Sequence, residues 1–167
     1  IGVAAIVTLL VRPWDDAPPA GVHRAHRVAD LIVEDHLTYA RRPDRLQRAT
    51  EDAAELQRWF EGELRLAARQ PALTGARLVG GRRCSLGGRP AALSFYDRGG
   101  EPISLFVFEP GGEDWSAMAP VAALPGKRAC HHHDRGVGML VWQERGLVYV
   151  VAAAVEVDEL ERLVGIP

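Results

Sequence analysis

The glycine pairs in "LVGGRRCSLGGRPAALSFYDRGGEPISLFVFEP", residues 78–110, constrain this chain more than any other feature. Gly87-Gly88 and Gly99-Gly100 each separate two runs rich in apolar residues, and Arg145-Gly146 does the same further on. A two-residue connection between strands needs positive φ at its central positions, which glycine adopts without strain. The runs 76–86, 90–97, 102–108, 136–144 and 147–155 are therefore expected as strands, joined where such pairs occur by tight hairpins in an antiparallel sheet. Gly80-Gly81 falls inside the first run and is expected as a bulge or a close approach of another backbone. A phosphate-binding loop would set its glycines between a strand and a helix N-terminus. Here strand sequence follows each pair, and neither GxGxxG nor a following Lys-Ser or Lys-Thr is present.

A helical period replaces this pattern at both ends. Ala25, Val28, Ala29, Ile32, Val33, His36 and Leu37 form one stripe at helical spacing, and Pro43 is expected to break that helix. Thr50 reads as an N-cap with Glu51 and Asp52 in an acidic first turn. The helix it opens carries Leu56, Trp59, Phe60, Leu64 and Ala67 on one face and ends before Pro71. A last helix is expected over 156–165, and 110–135, rich in Pro, Gly and Ala, reads as irregular. The expected class is α+β: an antiparallel sheet of about five strands with two N-terminal helices and one C-terminal helix.

The opening "IGVAAIVTLLV" carries no charge and is followed by Arg12 and Trp14. As a helix, 1–12 would reach about 18 Å against a hydrocarbon core of about 30 Å. The segment has no basic n-region and no amphipathic alternation. It reads as the C-terminal half of a transmembrane helix, with Ile1, Val3, Ile6, Leu9 and Leu10 in lipid and Arg12 and Trp14 at the interface. The alternative is a buried first helix or strand of the globular fold. The expected layout is an anchor over 1–12, a Pro-rich linker over 13–22 and an extracytoplasmic α+β domain over 23–167 on the periplasmic side of a bacterial inner membrane.

The phrases "VADLIVEDHLTYA", "LQRWFEGELRLAARQPALTGARLVGGRRCSLGGRPAALSFYDRGGEPISLFVFEP" and "GMLVWQERGLVYVVAAAVEVDELERLV" together resemble the extracytoplasmic region of bacterial single-pass transmembrane anti-sigma factors. The resemblance covers roughly residues 24 to 164. It implies a regulator rather than an enzyme, whose exposed linker is cut by proteolysis when a signal arrives. The family's cytoplasmic sigma-binding and zinc-ligand residues have no counterpart in this sequence. An accessory subunit of a larger respiratory or photosynthetic inner-membrane complex suits the same layout. A periplasmic metal or redox module is the third reading.

The net charge of −2 gives no basic field for nucleic acid. GxSxG, HExxH and a Walker loop are absent. No cofactor is expected; the expected partners are membrane lipid and a protein of the inner membrane or periplasm. The two cysteines, Cys84 and Cys130, are too few for a disulfide framework but enough for one bridge in an oxidising compartment. Free thiols and a metal site are the other readings. "ACHHHDRG", residues 129–136, lies outside the resemblance. On an extended segment His131 and His133 would share a side and His132 would point away. With Cys130 and the distant Cys84 these are the metal candidates. His36 reads as a core histidine, and Trp59, Phe60 and Trp142 as core aromatics. Arg41, Arg42, Arg45 and Arg48 read as a solvated linker, or as a contact for anionic head groups. Trp115 and Met118, in the irregular segment, are the candidates for exposed apolar contact with a partner.

Overall fold

A computed structural model of the chain describes residues 19–132 and 135–165. The candidate anchor residues Ile1, Val3, Ile6, Leu9, Leu10, Arg12 and Trp14, and the candidate ligand His133, lie outside the described residues. Among the described residues no helix is long and apolar enough to cross a membrane.

The chain runs α1 (Ala20–Tyr39), β1 (Arg48–Ala49), α2 (Ala53–Leu64), β2 (Arg77–Leu86), β3 (Arg89–Arg98), β4 (Glu101–Phe108), β5 (Ala119–Pro120), β6 (Arg128–His132), β7 (Val137–Glu144), β8 (Leu147–Ala153) and α3 (Val157–Val164). Short 3-10 turns occupy Pro43–Arg45 and Trp115–Ala117. Among the described residues the class is α+β with three helices, but the expectation of about five strands is corrected to eight, all paired antiparallel in the order β1-β2-β3-β4-β8-β7-β6-β5. The extra three are β1 and β5, of two residues each, and β6. Two-residue strands are too short to show a period. They blunt both edges of the sheet against pairing with other chains.

The hairpins are as the glycine pairs require. Positive φ occurs at both central residues of each: 61° and 87° at Gly87-Gly88, 60° and 93° at Gly99-Gly100, and 52° and 79° at Arg145-Gly146. Gly80 is the bulge. The register with β3 shifts between Leu78 and Gly80, whose φ is 149°. A Cβ there would lie 2.3 Å from the Arg48 carbonyl oxygen, so only glycine lets β1 come alongside.

Helices cover both faces of the sheet, so side chains on both sides of the central strands β4, β7 and β8 are buried. Along β4, Ile103, Leu105 and Val107 face one core with α2 and α3, while Phe106 and Phe108 face the other with α1. This double cover explains why β4, β7 and β8 read as nearly continuous apolar runs. On the α2 face, Gly81 opposes Ser94 across β2 and β3. Their small size admits Phe60, whose Cζ would lie 2.7 Å from a Cβ at Gly81.

The helices differ from expectation at their ends. α1 starts at Ala20, inside the span expected as linker, and buries Val22 along with the stripe from Ala25 to His36, while Leu37 is exposed. The N-cap of α2 is Asp52, which accepts from the Ala54 and Glu55 amides. Thr50, the expected cap, instead accepts from the Asp52 amide and donates to Glu55. α2 ends at Leu64 because Arg65 turns left-handed at φ 58°. Ala67 is therefore beyond the helix and exposed, and Leu66 and Ala68 are buried instead. The arginine run is occupied by ion pairs: Arg41 with Glu101, Arg42 and Arg45 with Asp44, and Arg48 with Glu55.

Candidate functional site

The N-terminal half of α1 lies over the β6–β7 end of the sheet, and a cleft opens where the two do not close. Ala25 and Ala29 line it from the helix, at i and i+4 on the buried stripe. Residues that small leave space that a leucine would fill. The 3-10 turn after Asp114 supplies Trp115, Ala117 and Met118. The sheet supplies Cys130 of β6 and Met139 of β7, which are register partners and so sit side by side. His26, Asp30, Asp114 and His132 complete the lining. The volume is about 330 Å³, the small end of the range for small-molecule sites.

Strand alternation sorts the histidine run. Ala129 and His131 face the α3 side, where His131 comes within 3.8 Å of Glu156. Cys130 and His132 face α1, where His132 Nε2 lies 3.0 Å from Asp30 Oδ1 and ties β6 to the helix. His132, expected to point away, is thus the histidine at the cleft. The metal candidates do not gather: His131 and Cys130 lie on opposite faces of β6, and Cys84 is on β2. Among the described residues no group of three His, Cys, Asp or Glu could hold a metal ion.

The expected Cys84–Cys130 bridge is also corrected. Both thiols are free. Five strand-to-strand steps separate β2 from β6, roughly 24 Å at about 4.8 Å each, whereas a disulfide needs Cα atoms within about 7 Å. Burial pushes the Cys84 thiol up to about 12, with Asp35 adding to the rise. Burial likewise raises Cys130. Neither is held as a reactive thiolate.

Trp115 and Met118 are not exposed contacts. They are 9% and 7% exposed and pack in the α1-side core. A tryptophan in a Pro/Gly-rich stretch reads as exposed from sequence because the helix that covers it is nearly a hundred residues away. Trp115 lines the cleft, and its burial leaves the indole Nε1–H without a hydrogen-bond partner among the described residues. Leaving a buried donor unpaired costs about 1–3 kcal/mol, so it marks a position where an acceptor would be welcome.

The loop before Trp115 is firmly held and clamps the start of α1. Arg89 donates to the Glu109 carbonyl and pairs with Glu113, whose side chain is 2% exposed. Glu113 also accepts from the Gly111 amide, and these bonds hold its carboxyl below the usual range despite burial. The Asp114 amide then donates to the Gly21 carbonyl at 2.9 Å, and Arg24 Nε donates to the Gly112 carbonyl at 3.1 Å. A Cβ at Gly21 would lie 2.9 Å from Asp114 Cβ, so glycine permits the contact.

Of the cleft's lining, the sequence pointed to Trp115 and Met118 as contact residues and to Cys130 as a metal candidate, but gave no sign that α1 would join them. Comparison with protein-family models, with curated proteins and with solved structures finds no match for this chain.

Proposed function

We propose that this chain is the non-catalytic, signal-receiving domain of a membrane-tethered bacterial regulator, of the kind that the resemblance to the outer part of transmembrane anti-sigma factors implies. The cleft beneath α1 is the receiving site. The supporting observation is that the cleft's helical wall is the first element among the described residues and directly follows the Pro-rich sequence: Ala25 and Ala29 line it, and Gly21 and Arg24 of the same helix are clamped to the loop that leads into Trp115. A molecule in the cleft touches the helix that continues the linker. Its binding energy thereby biases how α1 sits and how far the linker is exposed to a protease.

Two measurements on cells test this. Protease added to spheroplasts should cut the linker ahead of α1, over 13–19, and the rate should change in Ala117→Trp, which adds bulk at an exposed residue of the cleft lining. A domain protected from external protease contradicts the tethered, outward placement. Equal cutting of the two proteins contradicts the coupling. Recovery of the chain as a fixed member of a large inner-membrane complex would favour the accessory-subunit reading instead.

A further inference from the structure

We propose that the cleft beneath α1 binds a small, uncharged, largely apolar molecule carrying one hydrogen-bond acceptor, such as an aromatic ketone, with the acceptor on Trp115 Nε1–H. The proposal deepens the reading of the cleft as the receiving site and depends on it for its biological sense.

Four observations select this class. The lining is mainly apolar, with Ala25, Ala29, Ala117, Met118 and Met139 beside the indole. The volume of about 330 Å³ equals roughly eleven waters at about 30 Å³ each, which suits a single ring with a short substituent. The chain has only 2 methionines, and both line this one cleft. Methionine is the side chain that reshapes most cheaply around a polarisable guest, and the shielded indole needs a lining side chain to turn aside before an acceptor can reach it. Trp115 is 9% exposed, and its N–H is a donor without a partner among the described residues. An acceptor there recovers the desolvation already incurred, which an apolar guest of the same shape cannot do.

The titratable groups of the lining do not call for an ionic ligand: His26 is exposed, and both carboxylates are already engaged. Asp30 is paired with His132. Asp114 accepts from the Ser116 amide as the cap of the 3-10 turn. Sites that are apolar apart from one convergent donor discriminate by that donor.

Acetophenone and α-methylstyrene test the proposal, since they share a shape and differ in a carbonyl against a methylene. With the purified 167-residue chain, acetophenone should bind about tenfold more tightly, as one recovered hydrogen bond implies. It should shift one indole N–H resonance, the one missing from Trp115→Phe. Trp115→Phe should bind the two probes equally, and Ala117→Trp should bind neither. Equal affinity of the native chain for both probes overturns the proposal. So does the absence of binding by either, or a shift confined to Trp59 or Trp142. These outcomes concern the cleft alone. Failure here with an outward-facing, protease-sensitive linker removes the ligand class and leaves the regulatory reading, whereas binding with an inward-facing domain does the reverse.

Discussion

Replacing His36 by glutamine should remove much of the acid sensitivity of this fold between pH 6.5 and pH 4. His36 is 2% exposed on the inner face of α1, and its Nδ1 lies 2.9 Å from Ser104 Oγ on the central strand β4. Burial, and secondarily the charge of Arg41, lowers its pKa from 6.5 to about 4. The folded pKa is the lower one, so between these values the unfolded chain binds more protons. Stability is then fully present above pH 6.5 and is lost as pH falls toward about 4. The gap of about 2.5 units, at about 1.36 kcal/mol per unit, amounts to roughly 3 kcal/mol. That is a large share of a typical domain's 5–15 kcal/mol or so. Glutamine can still bond Ser104 but does not titrate. Urea unfolding followed by tryptophan fluorescence, at steps from pH 7 to pH 4, should show native stability falling by about 3 kcal/mol more than that of His36→Gln. Carboxylates such as Asp35 and Glu113 are common to both proteins and cancel in the difference. Parallel curves would refute the reasoning. So would a His36 ring that titrates near 6.5 in the folded protein.

Other consequences follow from the packing. Ser94→Ala should be neutral or stabilising by about 1 kcal/mol, because Ser94 Oγ is buried without a partner among the described residues. Ser104→Ala should cost about 1 kcal/mol through the bond to His36; denaturant midpoints compare the pair. Gly81→Ala should destabilise by about 1–3 kcal/mol, since the new Cβ meets Phe60, Leu56 and the Leu93 carbonyl. Asp52→Ala should cost about 1 kcal/mol by uncapping α2, read from thermal midpoints. Under oxidising conditions intact-mass analysis should find both Cys84 and Cys130 still alkylatable after unfolding; an intrachain bridge would contradict the strand order.

Local chemistry was legible in the residues, and long-range assembly was not. The glycine pairs placed β2, β3, β4, β7 and β8 almost to the residue, because positive φ is a local demand that few side chains meet. The stripe from Ala25 to His36 placed α1, because helical spacing is a local regularity. β1 and β5 were invisible, being two residues long and held by partners elsewhere, β1 by the bulge at Gly80. β6 was hidden because only Ala129 of its five residues is fully buried. The cleft draws on 25–30, 114–118 and 130–139, segments that meet only once the sheet order is known. Trp115 was misjudged for the same reason: nothing near it in sequence announces that α1 will cover it.

Hydrogen–deuterium exchange along α1, with and without saturating acetophenone, tests most directly whether the cleft is a receiving site that bears on the helix after the linker. Binding should slow exchange over residues 20–31 and in β6, and leave α2 and α3 unchanged. Unchanged exchange in α1, or protection centred on α2 and α3, would contradict it.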